Sequence, residues 1–332
     1  MTVTPTLPRD PEFVLTPGPH LHAAVSTTRI MWTVNATLAP AALWGVYVFG
    51  LSALLVLAGS IAGAVASEWL AARALGRRAS VHDGSAFCTG LLLAMTVSPA
   101  LPWWQAFLGG VFAVLLGKMV FGGLGFNLFN PALLGRAFLM ASFPLTMTAG
   151  WLAPRTGFGA PLDAVTAATP LALAKEQGLA AGFGALTSSG ATYQALAMGF
   201  RGGSLGEVSA VLIALGAAVL LWRRIISLTT PLAVFAGLAL ATLPAGAPGF
   251  HLFTGGLWLG AFYMATDYVT SPTTTRGQLV FGFLIGLLTG VIRIWGGYPE
   301  GICYAILIAN ALVPALDSAF RRQRVKLAGT PS

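Results

Sequence analysis

Apolar runs close to 20 residues long recur along this chain of 332 residues, and they constrain its fold more than any other feature. A helix needs about 20 apolar residues to cross the hydrocarbon core of a bilayer. Hydrophobic residues make up 56% of the chain and charged residues only 8%, and the mean hydropathy is +0.79. This composition excludes a soluble domain with a charged surface. We therefore predict an all-α integral membrane protein.

About ten runs are predicted to be transmembrane helices, and they fall into two groups of five. The first group covers residues of about 30–47, 49–72, 84–97, 103–121 and 131–143, and the second covers about 207–222, 228–243, 252–268, 277–294 and 301–317. Several runs are short or are broken by Gly and Pro. Such breaks are tolerated where the backbone is buried in protein or lines a cavity.

The distribution of Lys and Arg predicts the orientation, because these residues collect on the cytoplasmic side. With the N-terminus inside, four of the 18 basic residues fall on outer segments, namely Arg155, Lys175, Arg201 and Arg293. The others, including Lys118 and Arg136, fall on inner segments. The polar, proline-containing stretch at the N-terminus has no apolar core, so no cleavable signal peptide is predicted. We expect a multi-pass membrane protein with both termini in the cytoplasm.

Two segments resemble each other at an offset of about 174 residues. Residues 96–125 and 269–301 each contain Ser-Pro, an apolar helix, a basic residue and then Gly-Gly. The first Ser-Pro falls outside and the second inside, so the two five-helix groups are predicted to form inverted repeats. Chance similarity between Gly-rich apolar segments is the alternative.

The predicted organisation has five parts. A cytoplasmic arm (1–29) precedes the first repeat (30–143), and an outer loop region (144–206) separates it from the second repeat (207–317) and a basic cytoplasmic tail (318–332). Loops as long as the outer region are usually functional or disordered.

Five sequence blocks in order carry a resemblance to a known family. They are "DGSAFCTGLLLAMTVSPALPWW" (83–104), "KMVFGGLGFNLFNPALLGRAFL" (118–139), "DAVTAATPLALAK" (163–175), "GGSLGEVSA" (202–210) and the segment 267–317, which begins "DYVTSPTTTRGQ". Over about residues 19–317 the chain resembles the RnfD component of the Rnf-type ion-translocating electron transport complex. It is less closely similar to the NqrB component of the sodium-translocating NADH:quinone reductase.

The resemblance implies a subunit of the bacterial inner membrane that passes electrons between flavins while the complex moves Na⁺ or H⁺. The implied partners are another FMN-carrying subunit, small membrane subunits that hold an iron–sulfur cluster, and soluble subunits with iron–sulfur centres and the NAD site. A separate flavin transferase is implied for maturation.

In that family, a threonine on the outer side carries FMN through a phosphoester bond. The family's motif is matched here by Asp163, Thr166, Ala167, Ala168 and Thr169, so Thr169 is the residue predicted to bear the flavin. Ala167 stands where glycine is more frequent in the family. A small residue at that position still allows the backbone to approach the phosphate closely.

A second threonine competes with this assignment. The stretch "SSGAT", which ends at Thr192, also fits the end of the motif, but Leu186 occupies the position of the aspartate. We therefore favour Thr169. The alternative for both is an ordinary loop in which Thr166 caps the helix that "PLALAKEQ" predicts.

Two sets of residues are predicted to surround the flavins. Candidates for the outer pocket are Arg201, Ser204, Glu207, Arg293, Tyr298 and Glu300. The resemblance implies a second, non-covalent flavin, riboflavin, near the inner side, held by Lys118, Asn127 and Asn130. The alternatives are interfacial anchoring for the outer set and, for the Asn-Pro break at residue 130, simple satisfaction of backbone groups.

Other chemistries are not supported by the sequence. Cys88 and Cys303 are far apart and show no CxxC spacing, which excludes an iron–sulfur cluster held by this chain alone. Glu68 and the aspartates of the helical regions fall near predicted helix ends, where anchors and caps also lie, so no ion path is predicted. A passive channel or carrier with the same repeat architecture is the alternative function.

Overall fold

The computed structural model describes residues 26–76, 80–148, 150–152, 154, 169–178, 202–207, 209–245, 248–298 and 300–328, with side chains to residue 320. Asp163, Thr166 and Ala168, together with the competing Thr192 and Arg201, lie outside these residues. Within them the chain is helical and contains no β-strand, as the sequence predicts.

The first half contains five longer helices. They are α1 (Thr27–Phe49), α2 (Leu51–Ala74), α3 (Ser85–Thr96), α4 (Trp103–Val114, continued by a π-helical turn at Leu115–Met119) and α5 (Pro131–Ser142). Among the described residues of the outer loop region, two short helices follow, α6 (Pro144–Thr148) and α7 (Pro170–Gln177).

The second half, as far as the structure describes it, contains six helices. They are α8 (Ala210–Trp222), α9 (Thr229–Thr242), α10 (Pro248–Phe253), α11 (Leu257–Leu259, continued by a π-helical turn at Gly260–Met264), α12 (Thr275–Trp295) and α13 (Ile302–Ala328).

A helix lies at each apolar run that the sequence marks as a span. In the part of the chain that the structure describes, three helical segments are long and apolar enough, by length and composition, to cross a membrane by themselves, namely α2, α12 and the part of α13 from Ile302 to Phe320. The helices α3, α4, α8 and α9 are apolar but shorter. Broken helices of this kind occur where backbone lies inside a protein.

The same order of packing recurs in both halves. The two most extensive helix contacts join α2 to α4 and α9 to α12, and α5 and α13 then pack against α4 and α12. A Cβ atom on Gly63 would collide with the carbonyl oxygen of Phe107, and one on Gly286 would collide with that of Val234. Glycine therefore lets the backbones of each main pair touch, as small residues do between membrane helices.

The halves meet at a buried asparagine. Asn310 of α13 is 1% exposed. With its amide oriented to satisfy its neighbours, it donates to the carbonyl oxygen of Thr270 (3.0 Å) and accepts from the backbone N–H of Asn130 (3.0 Å). One side chain thus connects the loops that precede α5 and α12.

The connecting segments gather at two ends of the bundle, which we name by their predicted sidedness. The inner end contains residues 80–84, 120–130, 223–228 and 265–274, and the outer end contains residues 97–102, 143–148, 150–152, 243–245, 248–256, 296–298 and 300–301. Hydrogen bonds join segments within each end: the Tyr268 hydroxyl donates to the carbonyl of Ile225, and the Ser98 hydroxyl to that of Gly150.

Three basic residues lie deeper than the sequence suggests. Lys118 and Arg136 were assigned to inner segments and Arg293 to an outer one, but all three lie within helices and are 1%, 4% and 3% exposed. Each can be buried because carboxylates or backbone carbonyls receive its hydrogen bonds. Counting basic residues along the sequence cannot detect this pairing.

Candidate functional site

Thr169 is the N-cap residue of α7. Its backbone is extended (φ −68°, ψ 148°), its hydroxyl accepts a hydrogen bond from the N–H of Ala172 at 3.1 Å, and Pro170 occupies the first helical position. The side chain is 5% exposed. The sequence alternative that made Thr166 the cap is therefore wrong, because Thr169 itself satisfies the first turn of the helix.

Lys175 fixes α7 to the outer end of α12. Its ammonium donates to the carbonyl oxygens of Tyr298 (3.1 Å), Ile292 (3.4 Å) and Gly296. The carbonyl of Ile292 also accepts the backbone N–H of Gly296, so Lys175 adds a second hydrogen bond there and reaches two carbonyls beyond the helix end. A cation at the C-terminal end of a helix also interacts favourably with the helix dipole. Partial burial lowers the pKa of Lys175.

Arg293 forms the second contact between the outer loops. Its guanidinium donates to the carbonyl oxygens of His251 (2.5 Å), Thr254 (2.9 Å) and Glu300 (3.0 Å). Burial, and then the charge of Arg293, lower the pKa of His251 to about 4. The guanidinium thus joins the end of α12 to the segments before α11 and α13.

Leu171 brings α7 against the segment around Gly255, which Arg293 also contacts. A Cβ atom on Gly255, where φ is +69°, would lie 2.7 Å from Nη2 of Arg293 and 3.5 Å from Cδ2 of Leu171. Only glycine fits at this position, because the conformation and the space both exclude a side chain. The segment that follows Thr169 therefore packs within a few ångströms of Arg293.

An outer cleft of about 400 Å³ opens beside this contact. The carboxylate of Glu300 forms an ion pair with Arg136, while its Oε1 is buried with no partner among the described residues. The rings of Tyr298 and Tyr304 stack with centroids 5.2 Å apart. The predicted residues Tyr298 and Glu300 line this cleft. Arg293 does not line it but donates a hydrogen bond to the backbone carbonyl of Glu300.

The other outer candidates that can be located lie against α3. Ser204 donates to Glu207 at 2.9 Å, and the backbone N–H of Leu205 donates to the carbonyl of Val97, which follows α3, at 3.4 Å. Ser204 and Glu207 are both buried. Interfacial anchoring does not describe residues that are 1% and 6% exposed.

At the inner end, a cavity of about 800 Å³ brings together the second predicted set, Lys118, Asn127 and Asn130. Its polar lining also includes Ser85 and Asp267. The three residues that the sequence groups in a single block thus face one space, together with residues from four other segments: α1, α3, the end of α8 with the residues after it, and residues 262–269.

Lys118 lies in the π-helical turn of α4 and is held by a polar network. Its ammonium is 2.8 Å from Oε1 of Glu68 and donates to the hydroxyl of Ser85 at 2.6 Å. Ser80 donates to the same carboxylate, and the Ser85 hydroxyl donates to Asp83 at 2.5 Å. Glu68, which the sequence treated as an anchor or a cap, is 0% exposed and pairs with Lys118. Single π-helical turns, such as the one that contains Lys118, often occur at functional sites.

Asn130 has a clear structural role. Its side-chain oxygen accepts from the N–H groups of Ala132 (3.1 Å) and Leu133 (3.4 Å), and its amide donates to the carbonyl of Met264 at 3.4 Å. Asn130 therefore caps α5. This is the alternative role given above for the Asn-Pro break, in which the asparagine satisfies backbone groups. Asn127 donates to the carbonyl of Phe129 at 3.4 Å.

The two cysteines lie in different places. Cys88 lines the inner cavity and Cys303 the outer cleft, and both are free thiols. Over the part of the chain that the structure describes, no three His, Cys, Asp or Glu residues are grouped so that they could hold a metal ion.

Residues 14–326 match the family described as NQR2, RnfD, RnfE. The chain belongs to this family. The match covers both halves of the bundle and both sites described above. Membership in the NQR2, RnfD, RnfE family confirms the relationship that the five sequence blocks indicate.

Relatives within the NQR2, RnfD, RnfE family are similar over almost their whole length. The D subunit of the proton-translocating ferredoxin:NAD(+) oxidoreductase complex of Clostridium ljungdahlii is 41% identical over 313 residues, which cover 92% of this chain and 93% of that protein. The D subunit of the Na(+)-translocating ferredoxin:NAD(+) oxidoreductase complex of Acetobacterium woodii is 41% identical over 311 residues, which cover 93% of each. The D subunit of the ion-translocating oxidoreductase complex of Halorhodospira halophila is 40% identical over 336 residues, covering 92% of this chain and 94% of that protein.

Proposed function

We propose that this chain is a membrane subunit of an ion-translocating ferredoxin:NAD oxidoreductase complex, and that it carries FMN bonded through a phosphoester to Thr169. Its function is to relay electrons within the complex while Na⁺ or H⁺ crosses the membrane. The proposal is supported by membership in the family and by relatives at 41% identity whose names describe such subunits.

The observation that carries the flavin assignment is the position of the Thr169 hydroxyl at the N-cap of α7. A phosphoester on this oxygen would place its negative charge beside the first N–H groups of the helix, which is where anions bind favourably. Pro170 removes one N–H but leaves those of Leu171 and Ala172 in the first turn. The residues present therefore fit a phosphate group.

Bound flavin would supply the electron-transfer chemistry, and the protein would supply its position and its electrostatic surroundings. Lys175 holds the attachment segment on α12, and Arg293 places a positive charge close to it. Asp163, Thr166 and Ala168 complete the attachment motif as the part that the flavin transferase recognises.

The inner cavity is the proposed site of riboflavin. Its walls are mainly apolar and also present Lys118, Asn127 and Asn130, and an apolar lining with a few polar groups is what small-molecule sites share. Lys118 and Asn130 each make several hydrogen bonds with the protein, whereas among the described residues Asn127 makes one, at 3.4 Å to the carbonyl of Phe129. We therefore expect Asn127 to contact the ring most directly.

The proposed architecture is ten transmembrane helices in two inverted repeats, with both termini in the cytoplasm of a bacterial cell. The proposed partners are another FMN-carrying subunit, small membrane iron–sulfur subunits, and soluble subunits that hold NAD and iron–sulfur centres. The transported ion stays open, because relatives with the same 41% identity are named for protons in one case and for Na⁺ in the other. The NqrB component of a sodium-translocating NADH:quinone reductase is the related alternative.

Mass spectrometry of the protein, expressed with its flavin transferase, tests the attachment. The peptide that contains Thr169 should carry the added mass of FMN, and the denatured protein should fluoresce on a gel. Thr169→Asn keeps an N-cap but has no hydroxyl, so it should be dark, whereas Thr192→Val should stay bright.

Two results would contradict the assignment. Fluorescence that survives in Thr169→Asn and disappears in Thr192→Val would move the flavin to Thr192. An unmodified peptide and a dark gel for every variant, with active transferase present, would remove the covalent flavin and favour the passive channel or carrier.

A further inference from the structure

A groove runs along the outside of the bundle between α1 and α8, the first helices of the two halves. Its apolar walls are formed by Trp32, Ala36, Pro40, Leu212, Leu215 and Val219. Arg29 and Arg223 also line it. The open space is about 1100 Å³, which is larger than the inner cavity.

The crossing of the two helices places both arginines at one end of the groove. The helices touch where Gly216 meets the carbonyl oxygen of Thr37, which a Cβ atom at residue 216 would contact at 2.6 Å. Arg29 and Arg223 lie roughly 11 Å from this crossing at about 1.5 Å per helical residue. The helices run in opposite directions, because Ile30 near the start of α1 and Leu220 near the end of α8 line the same inner cavity. Arg29 and Arg223 therefore lie together at the inner end of the groove.

The rest of the groove offers little for a polar ligand. The hydroxyl of Thr33 donates to the carbonyl of Arg29 at 2.7 Å, and that of Thr37 donates to the carbonyl of Val34 at 2.8 Å. Both hydroxyl groups are therefore used within α1. Trp32 is 46% exposed and its ring nitrogen donates to the carbonyl of His82 at 3.2 Å, as a tryptophan at a membrane interface does.

We propose that this groove is a binding site for one acidic phospholipid. The phosphate lies between Arg29 and Arg223, and an acyl chain follows the apolar wall past Ala36 and Leu215. Basic pockets between membrane helices near the cytoplasmic surface bind anionic headgroups by this combination of charge and apolar contact. The site is independent of the flavin proposal, because no residue of the groove lines either flavin site.

Native mass spectrometry tests the proposal on the assembled complex, purified in mild detergent and offered equal amounts of phosphatidylglycerol and phosphatidylethanolamine. The unaltered protein should retain phosphatidylglycerol. Each arginine should contribute about fivefold to its affinity, so the double variant Arg29→Gln/Arg223→Gln should bind on the order of twentyfold more weakly.

Two further variants make the test specific. Arg73→Gln removes one charge from the inner end of α2, where Arg73 stacks on Trp69 at 5.4 Å, and should leave lipid binding unchanged. Ala36→Phe keeps both arginines but fills the exposed wall of the groove, and should displace the lipid without disturbing the core.

Several outcomes would overturn the site. Equal retention of both phospholipids would show that the arginines do not select charge. Unchanged binding in the double arginine variant and in Ala36→Phe would place the lipid elsewhere. A crosslink from Val219→Cys to a helix of another protein in the complex, with no lipid retained, would make the groove a protein interface instead.

Discussion

Lys118 at the inner end and Arg293 at the outer end occupy corresponding places in the two similar segments, yet they are buried in different ways. Lys118 pairs with the carboxylate of Glu68 and the hydroxyl of Ser85. Arg293 donates to three backbone carbonyls from two segments of the outer end. The comparison shows that a repeated sequence pattern fixes where a cation lies but not what it does there.

The chemistry of the two side chains explains the difference. An ammonium is a compact charge that suits a single carboxylate, whereas the planar guanidinium can donate in several fixed directions. At the inner end the cation therefore joins one network of side chains beside a cavity. At the outer end it organises the backbone on which α7 rests.

The largest expected effect comes from breaking the inner pair. Lys118→Met leaves Glu68 buried without its cation, and we expect a loss of about 3–5 kcal/mol in the free energy of unfolding. Denaturant unfolding in detergent measures it. The matched double variant Glu68→Gln/Lys118→Met removes both charges and should recover most of the loss. A double variant as unstable as the sum of the single ones would show that the pair does not act as a unit.

Arg293→Met should cost less, about 2–3 kcal/mol, because water at the outer end can reach some of the three carbonyls it leaves behind. Arg293→Lys should recover only part of this loss, since an ammonium cannot donate in all three directions. Hydrogen exchange should show faster exchange at residues 251–256 in both variants. If Arg293→Lys kept the full stability, the positive charge alone, and not the several directions in which a guanidinium donates, would account for the contribution of Arg293.

The smallest effect is expected from acid at His251. Its folded-state pKa of about 4 lies below the ordinary value of 6.5, so the unfolded chain binds the proton more readily. Stability should therefore fall as the pH drops from 6.5 towards 4, by about 1 kcal/mol at pH 5 after allowing for solvent screening. His251→Gln should remove this part of the pH dependence. An unchanged pH profile in the variant would assign the acid sensitivity to other groups.

Features that depend on local sequence could be predicted. The apolar runs give the helices, and the pair Asn130–Pro131 marks the start of α5 because asparagine caps and proline fits the first turn. The same logic should have identified Thr169, which also precedes a proline, as the cap of α7 in place of Thr166. That signal was present in the sequence.

Features that depend on distant partners could not be predicted. Arg136 and Glu300 are separated by 164 positions in the chain, and Lys118 and Glu68 by 50. The neighbours of each of these four residues in the sequence do not indicate that an opposite charge from a distant part of the chain will contact it. The attachment of α7 to α12 by Lys175 could not be predicted for the same reason, since its acceptors are backbone carbonyls that any residue provides.

The glycine contacts of α2 with α4 and of α9 with α12 determine where the bundle can deform. Backbones that touch without intervening long side chains have no soft layer between them, so each pair should move as a rigid body. Relative displacement of the halves would then strain the polar contacts that bridge them, among them those of Asn310 and the Arg136–Glu300 pair. We expect substitutions at these bridges to change the spacing of the halves while leaving the packing inside each pair intact.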